Sequence, residues 1–583
     1  MKRCPQCNRI ETDETLKFCR VDGATLASES SGLAGEAGTA PLGVSSDAGE
    51  VHTSILPHNT QANVNRATGP TAFLPPQQST AVTEQLAKKR RPKVLIAIAA
   101  VFLVCAIAVG YFIARPYLSA KSTSAIESIA VLPFVNASGD KETEFLSDGI
   151  SETLINNFTR IPTLRVTARS TAFRYKGKDI EPQQIGSELG VGSVLTGKLL
   201  QRGDLLTIQV DLIKTSDGVQ IWGDRYEGKT ADIVSIQQRI ASDVSAQLKL
   251  KLTGAQQQQI AKTYTQNAEA YQHYLRGRYH WNKRTADDMK KALDEFQQAA
   301  DLDPLYAMAY VGLADCYVLL EEYAGVPAGE SLPKAQAFAQ KALQIDDSIG
   351  EAHATLALAN TYMWRWAEAE SEIKRAIELN PNYPTAYHWY SVVLTGTGRY
   401  DEAMSAIKRA RDLDPLSGII GVNVGIVYLT QRNPAAAAVE SKKIIEFDPN
   451  WWGGHFYLAM SNLELGRNEE ALTGLQKSVE LTSRSARSLG FLGYAYGVLG
   501  RRTEAQAILK ELENKYARRE STGQQIAAVC VGLGDVNQAF MWLEKDFQAR
   551  SGDLIRMRWY PPFQSVRGDP RYKDLLKRMG MPE

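Results

Sequence analysis

The stretch that decides the fold is 366–381, WAEAESEIKRAIELNP, which returns as YDEAMSAIKRARDLDP at 400–415 and as PAAAAVESKKIIEFDP at 434–449. The copies are spaced by 34 residues, the fourth position of each is alanine, and each ends in Asn-Pro or Asp-Pro. A period of this length indicates repeated helix pairs, because a single pair cannot bury its apolar face without a neighbour. The sequence therefore predicts an all-α solenoid.

The period continues on both sides of this stretch. Asp303-Pro304 ends an earlier unit, and Gly398 and Gly466 stand at turns between paired helices. Small side chains recur where neighbouring helices must approach closely, at Ala369, Ala376, Ala403, Ala410, Ala437 and Ala471. This is the pattern of the tetratricopeptide repeat (TPR). We predict a TPR superhelical solenoid of about eight units over 267–550, closed by a helical cap over 551–583.

The concave face of such a solenoid is the predicted binding surface for a partner protein or peptide. First helices line this face, and in the fifth and sixth units they carry apolar residues that helix stacking does not require. The candidate groove residues are Val422, Ile426, Leu429, Phe456, Met460 and Leu463. An exposed apolar groove of this kind would bind an apolar or amphipathic peptide. The alternative is that the helical register is displaced by one residue, which would make these side chains part of the core.

A second domain precedes the repeats, because the hydrophobic period changes several times over 123–250. Short apolar runs suited to strands alternate with amphipathic helical segments in the order β-α-β-α-β-β-β-α, which predicts one α/β sandwich domain. Within it, 192–199 (GSVLTGKL) nearly matches a phosphate-binding loop. Leu199 stands where the Ser or Thr magnesium ligand is required, and the stretch has the pattern of a strand. We therefore exclude a nucleotide site there.

A predicted transmembrane helix separates the N-terminal part of the chain from these domains. Residues 94–114 are uncharged and would span roughly 31 Å as a helix, enough to cross a bilayer. The basic run at 88–93 predicts a cytoplasmic N-terminus, and therefore C-terminal domains outside the cytoplasmic (inner) membrane. Ala106, Gly110 and Ala114 form a ladder of small residues that would allow two such helices to pack as a homodimer.

The N-terminal residues 1–26 have the spacing of a small zinc ribbon. Cys4 and Cys7 form a CxxC pair, and Cys19 with Asp22 has the same spacing. Three thiolates and a carboxylate would complete a tetrahedral, structural Zn²⁺ site. The alternative is a metal-free N-terminus, because this ligand set binds zinc more weakly than four thiolates. Residues 27–93 are rich in Ser, Thr, Ala, Gly, Pro and Gln and are predicted to be a disordered linker.

The α/β segment and the repeats together resemble proteins with a TolB amino-terminal-like (FlgO-like) domain. The resemblance rests on 129–134, 148–150, 164–166, 175–179, 185–186, 189–191, 221–226 and 567–572. It implies that the domain is followed by TPR repeats and that relatives carry an N-terminal effector, namely a class III cyclase, a Ser/Thr kinase or a winged-helix domain. This sequence departs from that pattern, since fewer than 95 residues precede the membrane segment. The head instead resembles short zinc ribbons of bacterial membrane proteins.

Composition and motifs favour binding over catalysis. Lys and Arg total 66 against 65 Asp and Glu, a balance that argues against a nucleic-acid protein. Residues 121–250 contain no histidine, and no nucleophile-elbow, metalloprotease or kinase motif occurs. We therefore expect a non-enzymatic, membrane-anchored scaffold or sensor that binds proteins or peptides. The alternatives are an accessory member of a cyclase or kinase system, or a transcriptional regulator acting through its zinc ribbon.

Overall fold

The computed structural model describes residues 126–248, 252–260 and 262–582, together with three short strands near the N-terminus. Those strands are β1 (Lys2–Arg3), β2 (Ile10–Glu11) and β3 (Ala27–Ser28). β1 pairs antiparallel with both of the others. The chain divides into two units, Met1–Val109 and Gly110–Glu583. The predicted transmembrane segment and the four predicted zinc ligands, Cys4, Cys7, Cys19 and Asp22, lie outside the described residues.

The second unit begins with a mixed sheet. Its strands are β4 (Ser128–Val131), β5 (Val135–Asn136), β6 (Arg165–Val166), β7 (Ser193–Arg202), β8 (Leu205–Lys214) and β9 (Gln220–Lys229). The strand order is β6-β4-β7-β8-β9, with β5 beside β7. β4 is parallel to β6 and β7, whereas β7, β8 and β9 form an antiparallel meander. The sequence predicted the succession of strands and helices along the chain but not the order of the strands in the sheet. Gly203 and Gly218 stand at the hairpin turns that join β7, β8 and β9.

Helices cover both faces of this sheet. They are α1 (Glu144–Thr159), α2 (Arg169–Ala172), α3 (Pro182–Leu189), α4 (Ile233–Gln247) and α5 (Gly254–Ile260). Alternate residues of β4 face opposite sides, as a strand requires. Ile129 and Val131 join the main core with α1 and α4, and Ala130 packs with Ile185 of α3 in a smaller cluster. The predicted small sheet domain is therefore confirmed.

Eight helix pairs follow in the part of the chain from 268 to 548, which is described throughout. The pairs are α6 (Ala268–Trp281) and α7 (Ala286–Leu302), α8 (Ala307–Ala324) and α9 (Ala328–Ile345), α10 (Gly350–Tyr362) and α11 (Trp366–Leu379), α12 (Pro384–Gly396) and α13 (Tyr400–Leu413), α14 (Gly418–Thr430) and α15 (Pro434–Phe447), α16 (Trp452–Glu464) and α17 (Asn468–Leu481), α18 (Ala486–Val498) and α19 (Arg502–Ala517), and α20 (Gly523–Leu533) and α21 (Val536–Gln548). We call these units 1 to 8. The alanines that the repeat pattern singled out are buried between helices, each at 0–1% exposure. The predicted TPR-like solenoid is confirmed.

The chain ends in a segment that we call the C-terminal segment, residues 552–582. It contains a 3₁₀ helix (Gly552–Arg558) and two short helices, α22 (Pro561–Gln564) and α23 (Pro570–Arg578). Its apolar side chains are almost fully buried, including Leu554, Ile555, Met557, Tyr560 and Phe563, each at 0–1% exposure. It packs in one core with residues of units 5 to 8.

The sheet domain is fixed to the solenoid by buried polar contacts. Arg160 at the end of α1 forms an ion pair of 3.2 Å with Glu351 of unit 3. Arg278 of unit 1 bonds to Glu152 of α1 at 2.6 Å. Thr171 donates a 2.7 Å hydrogen bond to Asp414 of unit 4. No helix within the described ranges is both long and apolar enough to span a bilayer.

The closest backbone approach between repeats provides a stability test. A methyl group on Gly497 of unit 7 would overlap the backbone of Gly532 of unit 8. We expect Gly497→Ala to lower the free energy of unfolding by about 1–3 kcal/mol, because helix backbones must move apart. Urea unfolding followed by circular dichroism measures this change. Gly568→Ala is the control, since a methyl group there has no atom within 4 Å; equal stability of the two variants would contradict this helix packing.

Candidate binding channel inside the solenoid

The predicted groove residues lie on the inner side of the solenoid but are not a free surface. Val422, Phe456 and Met460 are fully buried, and Ile426 and Leu429 are 7% and 5% exposed. They belong to a core that includes Leu554, Ile555, Tyr560 and Phe563 of the C-terminal segment, and Leu463 packs against that core while half-buried. Five of the six side chains are buried; Phe456 lies against Tyr560 of the C-terminal segment, and Ile426 lines the cavity described below. Their role in peptide binding stays a prediction.

The C-terminal segment shows how a polypeptide fits against this inner face. The ring of Tyr560 lies edge-on to Phe491 of unit 7 at 4.6 Å and to Phe456 of unit 6 at 6.4 Å, centroid to centroid. Arg558 donates hydrogen bonds to the hydroxyl of Tyr400 in unit 4, the shorter at 2.6 Å. The Trp366 indole of unit 3 donates to the carbonyl of Met579 at 2.8 Å. Residues 552–582 thus contact several units from the inside.

An ion-pair network joins the two ends of the superhelix. Glu322 of unit 2 pairs with Arg487 of unit 7 at 2.8 Å and with Arg556 of the C-terminal segment at 3.3 Å. Both arginines also pair with Asp553. Burial alone would raise the pKa of Glu322, but the two guanidinium groups outweigh it and lower the pKa to about 2. Glu322 is therefore ionised, and unit 2 is held beside unit 7.

A second contact closes the ring next to this network. Arg519, which follows α19, forms an ion pair of 2.5 Å with Glu330 at the start of α9 in unit 2. The solenoid therefore completes a turn, and its interior becomes a channel instead of an open concave face.

The channel contains a cavity of about 580 Å³, within the size range of ligand sites. Units 1 to 6, the C-terminal segment and the sheet domain all contribute to its lining, the last through Ser170 and Arg174. Its aromatic lining residues are Trp281, Tyr323, Tyr362, Trp389, Trp451, Trp452, Tyr457 and Trp559. A cleft of about 720 Å³, lined by units 1, 2, 6, 7 and 8 and by Asp553, shares Arg284, Glu322, Tyr323 and Trp452 with the cavity. The two spaces therefore adjoin the same four residues.

The charges that line the cavity are mostly satisfied within the protein. Four described lining residues are cationic, Arg174, Lys283, Arg284 and Arg556, and two are acidic, Glu322 and Asp448. Arg174 pairs with Asp448 at 3.8 Å, Arg556 pairs with Glu322, and Lys283 pairs with Asp288 at 3.3 Å. His388, also in the lining, is neutral at pH 7, because burial lowers its pKa to about 4. Arg284 alone is left without an acidic partner among the described residues.

The turns between paired helices explain how Arg284 reaches the channel. Each of the eight turns has one residue in the left-handed conformation, and five units use glycine: Gly325, Gly398, Gly466, Gly500 and Gly534. Units 1, 3 and 5 use Arg284, Trp364 and Arg432 instead, at φ of 57°, 62° and 62°. A large side chain in this conformation costs roughly 1–2 kcal/mol. The sequence has glycine at this turn in five units, including Gly398 and Gly466. The arginine at position 284 breaks this pattern and could have been recognised from the sequence as unusual.

The described residues provide no metal site. Within those ranges, no group of three or more His, Cys, Asp or Glu side chains is placed to hold a metal ion. The zinc site predicted from Cys4, Cys7, Cys19 and Asp22 lies outside the described residues and stays a prediction. The cavity lining offers aromatic surface and one cation without an anionic partner among the described residues.

Comparisons with known proteins agree with the two-part architecture. A tetratricopeptide repeat model matches residues 355–418, and the model of the second domain of HilA/YgeH-like transcriptional regulators matches 124–243. The resemblance of the sheet domain to TolB amino-terminal-like domains stays a prediction. Over 246 residues the chain is 32% identical to "Putative adenylate cyclase 3" of Rhizobium meliloti (strain 1021). That match covers 42% of each protein, so the chain spans less than half of this relative.

Solved structures also show partial likeness to this chain. PilF of Pseudomonas aeruginosa is 23% identical, with a TM-score of 0.29 over 37% of this chain and 93% of that one. PilW, a type IV pilus biogenesis factor, is 20% identical, with a TM-score of 0.30 over 36% and 94%. Human IFIT1 with m7Gppp-AAAA is 13% identical, with a TM-score of 0.37 over 54% and 77%.

The closing ion pairs provide the second test. We expect Glu322→Gln to lower the free energy of unfolding by about 2–3 kcal/mol, because it leaves Arg487 and Arg556 facing each other with one fewer carboxylate. Since the folded pKa is lowered, this stabilisation is fully present above pH 4.5 and is lost as the pH falls toward 2. Thermal or urea unfolding of both proteins at several pH values measures the difference.

Glu378→Gln is the matched control, because Glu378 is 66% exposed and pairs with Arg375 only one turn away. Its loss should change stability by less than about 0.5 kcal/mol. Equal effects of the two substitutions, or a Glu322 effect that grows in acid, would show that the ring is not held by these charges.

Proposed function

We propose that this chain is a non-enzymatic binding protein whose solenoid holds a segment of a partner protein in its channel. One observation carries the proposal: the inner face of the same solenoid already holds a polypeptide, the C-terminal segment, through aromatic stacking and arginine hydrogen bonds. The cavity of about 580 Å³ is the part of the channel that this segment leaves open. A channel with fixed walls loses little conformational entropy when a partner enters.

We further propose that the protein has a transmembrane anchor and an N-terminal zinc-ribbon head. Residues 94–114 would span the cytoplasmic membrane as a single helix, with the ribbon inside the cell and the sheet domain and solenoid outside. The supporting observations are the uncharged run itself and the basic residues at 88–93. Zinc held by Cys4, Cys7, Cys19 and Asp22 would stabilise the head for contact with a cytoplasmic partner.

A second candidate function is an accessory role in a cyclase signalling system or in transcriptional control. It is favoured by the 32% identity to a protein named as a putative adenylate cyclase and by the match of 124–243 to a transcriptional-regulator domain. Both likenesses cover less than half of the chain. In this case the partner in the channel would itself be a component of that system.

Site-specific photo-crosslinking tests the proposal in cells. A photoreactive amino acid at position 419 lies in the cavity lining, where Ile419 is 39% exposed. One at position 439 lies on α15 outside the cavity, where Val439 is 53% exposed. We expect a discrete crosslinked partner from position 419 and none from 439, because the partner occupies the channel.

A cavity-filling variant, Val392→Trp, is the control for specificity, since Val392 is a half-buried lining residue. It should abolish the adduct from position 419 without changing expression. The same products from both positions, or a product from 419 that persists in Val392→Trp, would contradict binding in the channel. Identification of the captured protein as a cyclase or a transcription factor would favour the second candidate.

A further inference from the structure

Arg284 is the one cation of the cavity lining that the described protein leaves without an anion. Its guanidinium carbon lies over the ring of Trp281 at 3.5 Å and faces Tyr323 at 5.8 Å from the ring centroid. Its Nη1 atom is shielded from solvent and has no hydrogen-bond partner among the described residues. Burial lowers the pKa of Arg284, so the unpaired charge is held against a desolvation cost.

The backbone at Arg284 is also strained, and this is an independent observation. Five other units place glycine at the equivalent turn, whereas unit 1 holds Arg284 at φ 57°. A strained conformation is kept where a particular side chain is needed. Among the described residues Arg284 stacks on Trp281, but it has no anionic partner and its Nη1 atom has no hydrogen-bond acceptor.

The two other turn residues with large side chains in the left-handed conformation show which contacts a side chain at this position makes. Arg432 of unit 5 donates a hydrogen bond to Gln564 in the C-terminal segment. Trp364 of unit 3 stacks on Phe547 at 5.2 Å, with the two rings 14° from parallel. Trp364 therefore contacts α21 of unit 8, and Arg432 contacts the C-terminal segment. Arg284 occupies the corresponding position in unit 1, where its guanidinium lies against Trp281 and Tyr323 but meets no anion among the described residues.

We infer that Arg284 recognises an acidic group on a polypeptide that enters the channel, an Asp or Glu side chain or a carboxyl terminus. The inference rests on the proposed function and names the chemistry of its partner. Because Trp281 covers one face of the guanidinium, the N–H groups at its edge remain for a carboxylate in the plane. The other aromatic lining residues, including Trp452 and Tyr323, would contact an apolar side chain beside that carboxylate.

A polypeptide fits this site better than a small free anion. Arg284 lines both the cavity and the cleft of about 720 Å³, so it adjoins far more open volume than a small anion would fill. The equivalent turn residues of units 3 and 5 already contact polypeptide. Among the described residues Arg284 is the one lining cation without an anionic partner, which favours an acidic segment over a basic one.

Parallel peptide selections test the inference. A random heptapeptide display library is selected on the full chain in detergent, as wild type, Arg284→Gln, Arg284→Gly and Arg375→Gln. We expect wild type and Arg375→Gln to enrich peptides in which Asp or Glu stands beside an aromatic or aliphatic residue. Arg375→Gln is the matched control, because it removes the same charge from an arginine of unit 3 that lies outside the cavity lining and pairs with Glu378. Both Arg284 variants should lose the acidic enrichment and bind a selected acidic peptide at least tenfold more weakly.

Arg284→Gly separates recognition from folding. Glycine relieves the left-handed backbone and is the residue at five equivalent turns, so we expect a thermal unfolding midpoint no lower than that of wild type. Acidic enrichment that persists in both Arg284 variants would overturn the inference while leaving the proposed function in place. Loss of stability in Arg284→Gly would overturn it too, because Arg284 would then act in folding.

Two further outcomes would decide whether a peptide occupies the cavity at all. If no peptide is enriched on wild type beyond the level found on Val392→Trp, the proposed function itself fails. If inorganic phosphate alone quenches the tryptophan fluorescence of wild type but not of Arg284→Gln, and no peptide is enriched, the site is a small-anion site and the acidic peptide is excluded.

Discussion

The ion pairs of Glu322 with Arg487 and Arg556 are the contacts on which the rest of the structure depends. A solenoid in which each repeat contacts only its neighbours is an open structure with an accessible concave face. Here a carboxylate of unit 2 meets an arginine of unit 7 and another from the C-terminal segment. This long-range contact converts the concave face into a channel, and the channel has the aromatic cavity as its remaining free space.

The C-terminal segment has two consequences for function. It covers Phe456 of unit 6 and Phe491 of unit 7 with Tyr560, which removes these two side chains from any partner. It also adds Ile555, Arg556 and Trp559 to the lining of the cavity, while Ser170 and Arg174 of the sheet domain complete it. The site is therefore assembled from three parts of the chain, and a partner in it would contact the sheet domain and the repeats together.

Local patterns in the sequence predicted the elements, and long-range packing decided the site. The 34-residue period and the hairpin glycines specify the helix pairs and the meander, because both depend on neighbouring residues. The same patterns placed Val422 and Phe456 on the inner side, but no period reports that both are buried in a core shared with residues 552–582. Arg284 could have been noticed in the sequence, because it replaces the glycine found at most of the turns. Its place in the lining of a cavity could not, because the cavity forms only when unit 2 meets unit 7.

Amide hydrogen exchange of the full chain tests the central claim most directly, because it measures whether the C-terminal segment is part of the channel. If residues 552–582 close the interior, amides of the 3₁₀ helix and of α22 and α23 should exchange as slowly as those of α16 and α18, against which this segment packs. Exchange of this segment at the rate of an unstructured tail, with units 6 and 7 still protected, would contradict the account.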